Sequence, residues 1–234
     1  MAFSRAVNDE DTARTAAADA ALERIEAGMT VGLGSGRAVW RVIEKIEERF
    51  GDQPPIRAAF ASNRTAELAR AANIEAVPLD GRVRLDLALD GADEIDPHMG
   101  LLKGGGGALL REKIIIASAD RFVVVAETRK AVDRLGQSFR LPVEVVRFGW
   151  PETRKRVLEI LPTAELRRRD RDEPYVTDEG HLLLDCELPP TDDLERLAAQ
   201  LKGTVGVVEH GLFLRMADEA LLGRPDGSVD VRSL

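Results

Sequence analysis

Cysteine is almost missing from this 234-residue chain, which carries one, Cys186, together with only 3 histidines. A single thiol forms no internal disulfide, so the sequence suits a reducing compartment. Cys186 follows Leu182-Leu183-Leu184 and is expected as a small core residue. The histidines, His98, His181 and His210, are scattered without metal-ligand spacing, and no metal is assigned. No apolar stretch approaches the length of a membrane span, and Met1 to Asp11 is polar and acidic, without the apolar centre of a secretion signal. A soluble cytoplasmic protein with no membrane partner is expected. Basic side chains are in deficit, 33 against 41 acidic ones, for a net charge of −8. A nucleic-acid backbone needs a basic face, so nucleic acid is not an expected partner. Internal repeats and low-complexity linkers are also lacking.

What is present is a regular exchange of helix and strand signals. The length permits one large domain, or a principal domain with a smaller one. Apolar positions at helical spacing (Ala18, Ala21, Leu22, Ile25) in an alanine-rich stretch predict a helix from about Asp11 to Ala27, stopped by Gly28. Met29–Leu33 reads as a short buried strand, followed by a glycine turn and a helix from Arg37 to Phe50. A strand at Ile56–Ala61, a helix at Thr65–Ala72, a strand at Leu85–Leu89, a helix at Ala108–Ser118 and a strand at Phe122–Ala126 continue the rhythm. This is the pattern of an α/β fold, a largely parallel sheet with helices on both faces.

From Pro142 the order changes. Strand (Val143–Arg147), helix (Glu152–Ile160), strand (Ala164–Arg169), strand (His181–Glu187), helix (Thr191–Leu201) and strand (Val205–Glu209) give the βαββαβ sequence of a small ferredoxin-like α+β unit. The expected division is a main domain over 1–137, completed by 211–234, and a small domain over 138–210. In the tail, Ala220–Leu222 is predicted as the last strand and Pro225-Asp226-Gly227 as a turn. Arg167-Arg168-Arg169-Asp170-Arg171-Asp172 alternates in sign and reads as a solvated loop.

Chemistry is concentrated between Leu85 and Lys113. An apolar strand delivers Asp90 and Asp93 to the carboxyl end of the sheet, where open α/β sheets bind ligands. Taken alone, Asp90-Gly91 reads as an ordinary turn. Lys103 follows, then Gly104 to Gly107, then a helix with Glu112 in its first turns. Four successive glycines are entropically costly, so a bare backbone is needed there. Glycine amides ahead of a helix N-terminus form a row of donors suited to an oxyanion. Carboxylates, a lysine and such a pocket fit proton transfer beside a carbonyl, a carboxylate acting as base and the lysine and amides stabilising an enediolate. A second glycine turn, Gly32-Leu33-Gly34-Ser35-Gly36, follows a strand and opens a helix. Its glycines alternate, whereas a dinucleotide fingerprint requires G-x-G-x-x-G, so NAD is not expected and no cofactor is assigned. A phosphate or other small anion is expected at Gly34, Ser35 and Gly36, with Arg37 and Arg14 as further donors.

The string DGADEIDPHMGLLKGGGGALLREKI, from Asp90 to Ile114, closely resembles the signature of ribose-5-phosphate isomerase A. The Gly32–Gly36 turn, Glu127-Thr128-Arg129-Lys130, Leu141-Pro142-Val143-Glu144-Val145 and Val207-Val208-Glu209-His210-Gly211-Leu212-Phe213 extend the resemblance over nearly the whole chain. It implies a cofactor-independent interconversion of ribose 5-phosphate and ribulose 5-phosphate through an enediolate. Under it, Glu112 is the base between C1 and C2, and Asp90 and Asp93 assist ring opening and proton handling at the sugar oxygens. Lys103 and the Gly104, Gly105 and Gly106 backbone hold the charged intermediate, and Lys130 contacts the ligand. It further implies a Rossmann-like main domain, a ferredoxin-like lid, and a homodimer or homotetramer. The family's usual G-x-G-T-G-S-T appears here with Arg37 and Ala38 in its last two places, and its serine-rich segment as Ser62-Asn63-Arg64-Thr65. An arginine fork can bind phosphate bidentately, so Arg37 and Arg14 are candidates for the altered contacts. An isomerase of a related anionic sugar, a non-catalytic sugar-phosphate sensor, and a transferase using Glu112 as nucleophile toward a thioester are the alternatives.

Overall fold

The computed structural model describes residues 2–169 and 172–233. Along the chain run α1 (Ala2–Leu22), β1 (Thr30–Leu33), α2 (Arg37–Phe50), β2 (Arg57–Phe60), α3 (Asn63–Ala71), β3 (Glu75–Ala76), β4 (Leu87–Asp90), β5 (Glu94–Ile95), β6 (Leu101–Leu102) and α4 (Leu109–Ala117). Then come β7 (Phe122–Glu127), β8 (Leu141–Val145), α5 (Trp150–Val157), β9 (Glu165–Leu166), β10 (Leu182–Cys186), α6 (Leu194–Lys202), β11 (Val207–His210), β12 (Leu212–Phe213), β13 (Glu219–Gly223) and β14 (Val229–Ser233). Two compact units emerge. One comprises the chain up to Ala92, Arg111–Ala131 and the segment from Arg215; the other comprises Asp93–Leu110 and Val132–Leu214.

The first unit is built on a 7-stranded sheet in the order β14-β13-β7-β4-β1-β2-β3. All neighbours are parallel except the β13–β14 hairpin. Reading inward from β3, the strands run 3-2-1 and then reverse to β4, β7 and β13, the Rossmann-like doubly wound order with its switch point between β1 and β4. Strands β1, β4 and β7 are buried throughout, as strands covered on both faces must be. Val31, Leu33, Leu87, Leu89, Val123 and Val125 share one apolar cluster with α1 and α2. On the opposite face a Cβ at Gly32 would fall 2.4 Å from Ile115 of α4. The alanines of α1 serve close approach: a Cβ on Gly223 of β13 would fall 1.8 Å from the Ala13 carbonyl oxygen, so helix backbone lies directly on strand backbone.

Helix α1 ends at Leu22, short of the predicted Ala27. The amides of Arg24 and Ile25 bond back only three residues, to Ala21 and Leu22, and the Gly28 amide turns to Pro55. Arg24 leaves the helix line for Glu219, which accepts its Nη2 at 2.6 Å and Arg121 Nη2 at 2.6 Å. These bonds hold the Glu219 carboxyl below the usual carboxylate range, the Arg24 bond contributing most. Its stabilisation is therefore complete above the unfolded value of about 4.3 and is lost as pH falls through the depressed folded value. Glu219→Gln is expected to destabilise by about 1–2 kcal/mol at pH 7, partly exposed arginines being the partners. Denaturant unfolding of both proteins should show the gap closing as the pH is lowered below 4; a pH-independent gap would refute the ion pair as its cause.

In the second unit a 4-stranded antiparallel sheet has the order β11-β8-β10-β9. Numbered within the unit this is 4-1-3-2, the ferredoxin-like arrangement, with α5 and α6 as its helices. Alternate residues Leu141, Val143, Val145 and Leu182, Leu184, Cys186 pack with Val157 and Leu201 in one cluster. Cys186 is buried, and burial raises its thiol to about 12, so it packs as a hydrophobe. A separate 3-stranded sheet, β12-β6-β5, lies within the same unit.

The last strand is β14 and not Ala220–Leu222: Pro225-Asp226-Gly227 turns the chain into an antiparallel pairing of the five residues Glu219–Gly223 with the five residues Val229–Ser233. As a half-covered edge, β14 mixes valine with Asp230 and Arg232, which hides its strand character. Strands β3, β5, β6 and β12, two residues each, are too short to leave a period. Asp170 and Arg171 of the arginine-rich run lie outside the described residues. No helix among the described residues is long and apolar enough to cross a membrane.

Candidate active site

At the carboxyl edge of the large sheet, the end of β4 and the turn after β1 interlock. Asp90 is 1% exposed, and its Oδ1 accepts the amides of Gly91 at 2.7 Å and Ser35 at 3.2 Å. The carboxylate lies across Gly34, where a Cβ would fall 1.9 Å from Asp90 Cγ. Glycine at 34 is thus demanded by close approach. Gly36, with φ +94°, instead needs the left-handed region, and it opens α2 without a side-chain cap. The Ser35 hydroxyl bonds Ser62 Oγ at 2.9 Å, Ser62 Oγ lies 2.9 Å from Thr65 Oγ1, and Thr65 returns a bond to the Gly34 carbonyl at 2.9 Å. Ser62 and Thr65 thereby brace the turn, a role that the Ser-x-x-Thr spacing at an α3 N-cap signals only locally.

Glu112 is in the first turn of α4 and is 5% exposed, not a surface side chain. The far end of this helix is tied to the amino end of β4, Leu85 N–H donating to the Ser118 carbonyl at 3.1 Å. The helix therefore runs antiparallel to the strands and brings Glu112 to the edge that carries Asp90. A helix N-terminus accommodates negative charge there. Lys130 follows β7 at the same edge. Arg37 is exposed at the start of α2. Arg14 is buried, its Nη2 2.6 Å from Glu127 Oε1, with Glu10 and Asp11 at 3.8 and 3.7 Å. A phosphate would have to share that guanidinium with three carboxylates.

Within the second unit, Asp93 Oδ2 accepts the Gly105 amide at 2.8 Å. Lys103 is buried and its Nζ stands 5.5 Å from the centre of the Phe213 ring. Its amide donates to the Gly211 carbonyl at 2.9 Å, and a Cβ on Gly211 would fall 2.2 Å from the Lys103 carbonyl oxygen. The His210-Gly211-Leu212-Phe213 segment is thus the mould for Lys103. In the glycine run, Gly104 and Gly107 have φ +109° and +79°, while a Cβ at Gly105 would meet the Asp93 carboxylate at 2.8 Å. The Gly107 amide closes a turn onto the Gly104 carbonyl at 3.0 Å, so two of the four amides are used internally. Two further acids of the signature are scaffold. Glu94 accepts the Gly136 and Phe139 amides at 2.6 and 2.8 Å, and Asp96 accepts those of His98 and Gly100 at 2.9 and 2.8 Å.

Residues 57–227 match the family model of Ribose 5-phosphate isomerase A (phosphoriboisomerase A). The chain belongs to that family. Among its relatives, ribose-5-phosphate isomerase A of Roseiflexus sp. (strain RS-1) is 48% identical over 228 residues, 96% of this chain and 97% of the relative. The ribose 5-phosphate isomerase of Plasmodium falciparum superposes with a TM-score of 0.90 at 30% identity, covering 96% of this chain and 99% of that one. A D-ribose-5-phosphate isomerase solved in complex with phospho-erythronic acid gives 0.89 at 34% identity, with 96% and 99% coverage. Against this family background the Arg37-Ala38 departure falls on an exposed helix start, and the Ser62–Thr65 departure falls on the brace behind the turn.

Proposed function

We propose that this protein interconverts D-ribose 5-phosphate and D-ribulose 5-phosphate through an enediolate, as a reaction of the pentose phosphate pathway. The observation that carries it is the pair of buried carboxylates, Asp90 and Glu112, at the switch-point edge of a chain of this family. In the forward direction the Glu112 carboxylate removes the C2 proton of the open-chain aldose, and the electron pair moves onto the C1 carbonyl oxygen. The same proton is then delivered to C1 while the C2 hydroxyl loses its proton and the C1 oxygen gains one, leaving a hydroxyl at C1 and the ketone at C2. Asp90 and Asp93 carry protons at the sugar oxygens and assist ring opening. Lys103 and the glycine-loop amides neutralise the enediolate. Gly34–Gly36, Arg37 and Lys130 take the phosphate. Support comes also from the relative solved with phospho-erythronic acid, which joins a carboxylate to a phosphate on a short sugar chain.

The deciding experiment is a steady-state assay with ribose 5-phosphate in the presence of a chelator, beside ribose and differently phosphorylated pentoses. Conversion of ribose 5-phosphate alone at high kcat/KM is expected; no conversion would sink the reading. Arg37→Ala is expected to raise KM for the phosphorylated sugar about tenfold, the worth of one charge-assisted bond, while leaving residual turnover of ribose unchanged. An unaltered KM would remove Arg37 from the anion site. The buried single thiol supports a cytoplasmic setting. The family resemblance supports a homodimer or homotetramer, which sedimentation analysis decides.

A further inference from the structure

Three successive carbonyls of the glycine loop are gripped from within their own compact unit. Arg167 follows β9, and its guanidinium forks onto Asp185 of β10, Nε donating to Oδ2 at 2.9 Å and Nη2 donating to Oδ1. Its Nη1 donates to the carbonyls of Gly104 at 2.8 Å and Gly105 at 3.1 Å. Tyr175, the chain's 1 tyrosine, donates its hydroxyl to the Gly106 carbonyl at 2.9 Å. Its ring fills the place where a Cβ on Gly107 would fall, 2.5 Å away, and lies 5.9 Å from the Arg167 guanidinium. Arg167 is thus no solvated loop residue; its side chain is 13% exposed.

A trans peptide is planar, with C=O and N–H pointing in opposite directions. Holding the Gly104 and Gly105 carbonyls toward Arg167 therefore turns the Gly105 and Gly106 amides the other way. The Gly105 amide meets Asp93 at 2.8 Å. The Gly106 amide, on that same side, has no hydrogen-bond partner among the described residues. Glycine peptides rotate easily, since both signs of φ are open to them, and a rotated Gly105–Gly106 peptide would present a carbonyl oxygen where a donor is needed.

We propose that Arg167, Asp185 and Tyr175 are positioning residues, a clamp that fixes the Gly106 amide as a hydrogen-bond donor to the enediolate oxygen; this rests on the isomerase reading above. Preorganised donors of this kind act on the transition state more than on the bound substrate. The clamp grips only the loop and touches none of the residues assigned to the phosphate.

The test combines Tyr175→Phe, which keeps the ring, with Arg167→Met and Arg167→Lys. Tyr175→Phe is expected to lower kcat about tenfold and Arg167→Met about a hundredfold, the scale of a misplaced oxyanion donor, with KM for ribose 5-phosphate within about twofold of the parent. Lysine at 167 cannot serve Asp185 and two carbonyls together and should restore little. Inhibition by phospho-erythronic acid should weaken in step with kcat, while inhibition by inorganic phosphate stays put. Amide hydrogen exchange at Gly104–Gly107 should quicken in Tyr175→Phe with the melting temperature preserved. Parental kcat in Tyr175→Phe, or parental exchange in the loop, overturns the clamp. Failure of the isomerase reading has a different signature, an unmodified chain that is inactive on ribose 5-phosphate.

Discussion

Glu112→Gln is expected to lower kcat for ribose 5-phosphate by about a hundred- to ten-thousand-fold, the range that a positioned base contributes. The substitution removes the basic oxygen and little else. Glutamine matches glutamate in length and in helix propensity, so the first turn of α4 persists. A neutral amide accepts no carbon-bound proton, so both directions of the isomerisation should fail together. The residue is buried at 5% exposure, so solvent does not supply a substitute base freely. Circular dichroism and thermal melting check that the fold is kept. Transfer of deuterium from C2 of labelled ribose 5-phosphate to C1 of the product should vanish with the activity. Parental turnover in a folded Glu112→Gln protein would remove this residue from the chemistry.

Gly34→Ala should be nearly as damaging, although it adds a single methyl group. The new carbon would fall 1.9 Å from Cγ, 2.1 Å from Oδ1 and 2.4 Å from Oδ2 of Asp90, so the entire carboxylate must leave its place. Leaving means giving up the Gly91 amide at 2.7 Å and the Ser35 amide at 3.2 Å. A displacement of this size typically costs about a hundredfold in rate. Overpacking a full site should also cost about 1–3 kcal/mol of stability. Asp90→Ala placed in the Gly34→Ala background relieves the overlap, so the double variant is expected to be more stable than Gly34→Ala and still inactive. If Gly34→Ala alone matches the parent in rate and stability, the contact between turn and strand end has been misassigned.

Local signals carried much of this structure. The α2 bounds, Arg37–Phe50, follow from a glycine turn and a strongly amphipathic stretch, and β7 follows from an unbroken apolar run. The candidate residues Asp90, Asp93, Lys103 and Glu112 could be nominated from sequence because they fall within one short segment. Its supports were not. Arg167 looked like one charge in a solvated run, and nothing near it in sequence announces Gly104 or Asp185. Arg14 was expected as a donor to the anion, and its guanidinium is bonded to Glu127, 113 residues away.

The division has a physical origin. Periodicity, turn chemistry and motif are properties of neighbours along the chain, and from them the sequence by itself determined the alternating α/β order, the βαββαβ insertion and the acids that carry the proposed chemistry. Which arginine binds a carboxylate and which a carbonyl, why Gly34 tolerates no methyl group, and which loop amides remain as donors depend on atoms brought together across tens of residues. Those distances exist only once the chain has folded, and tertiary structure alone decided them.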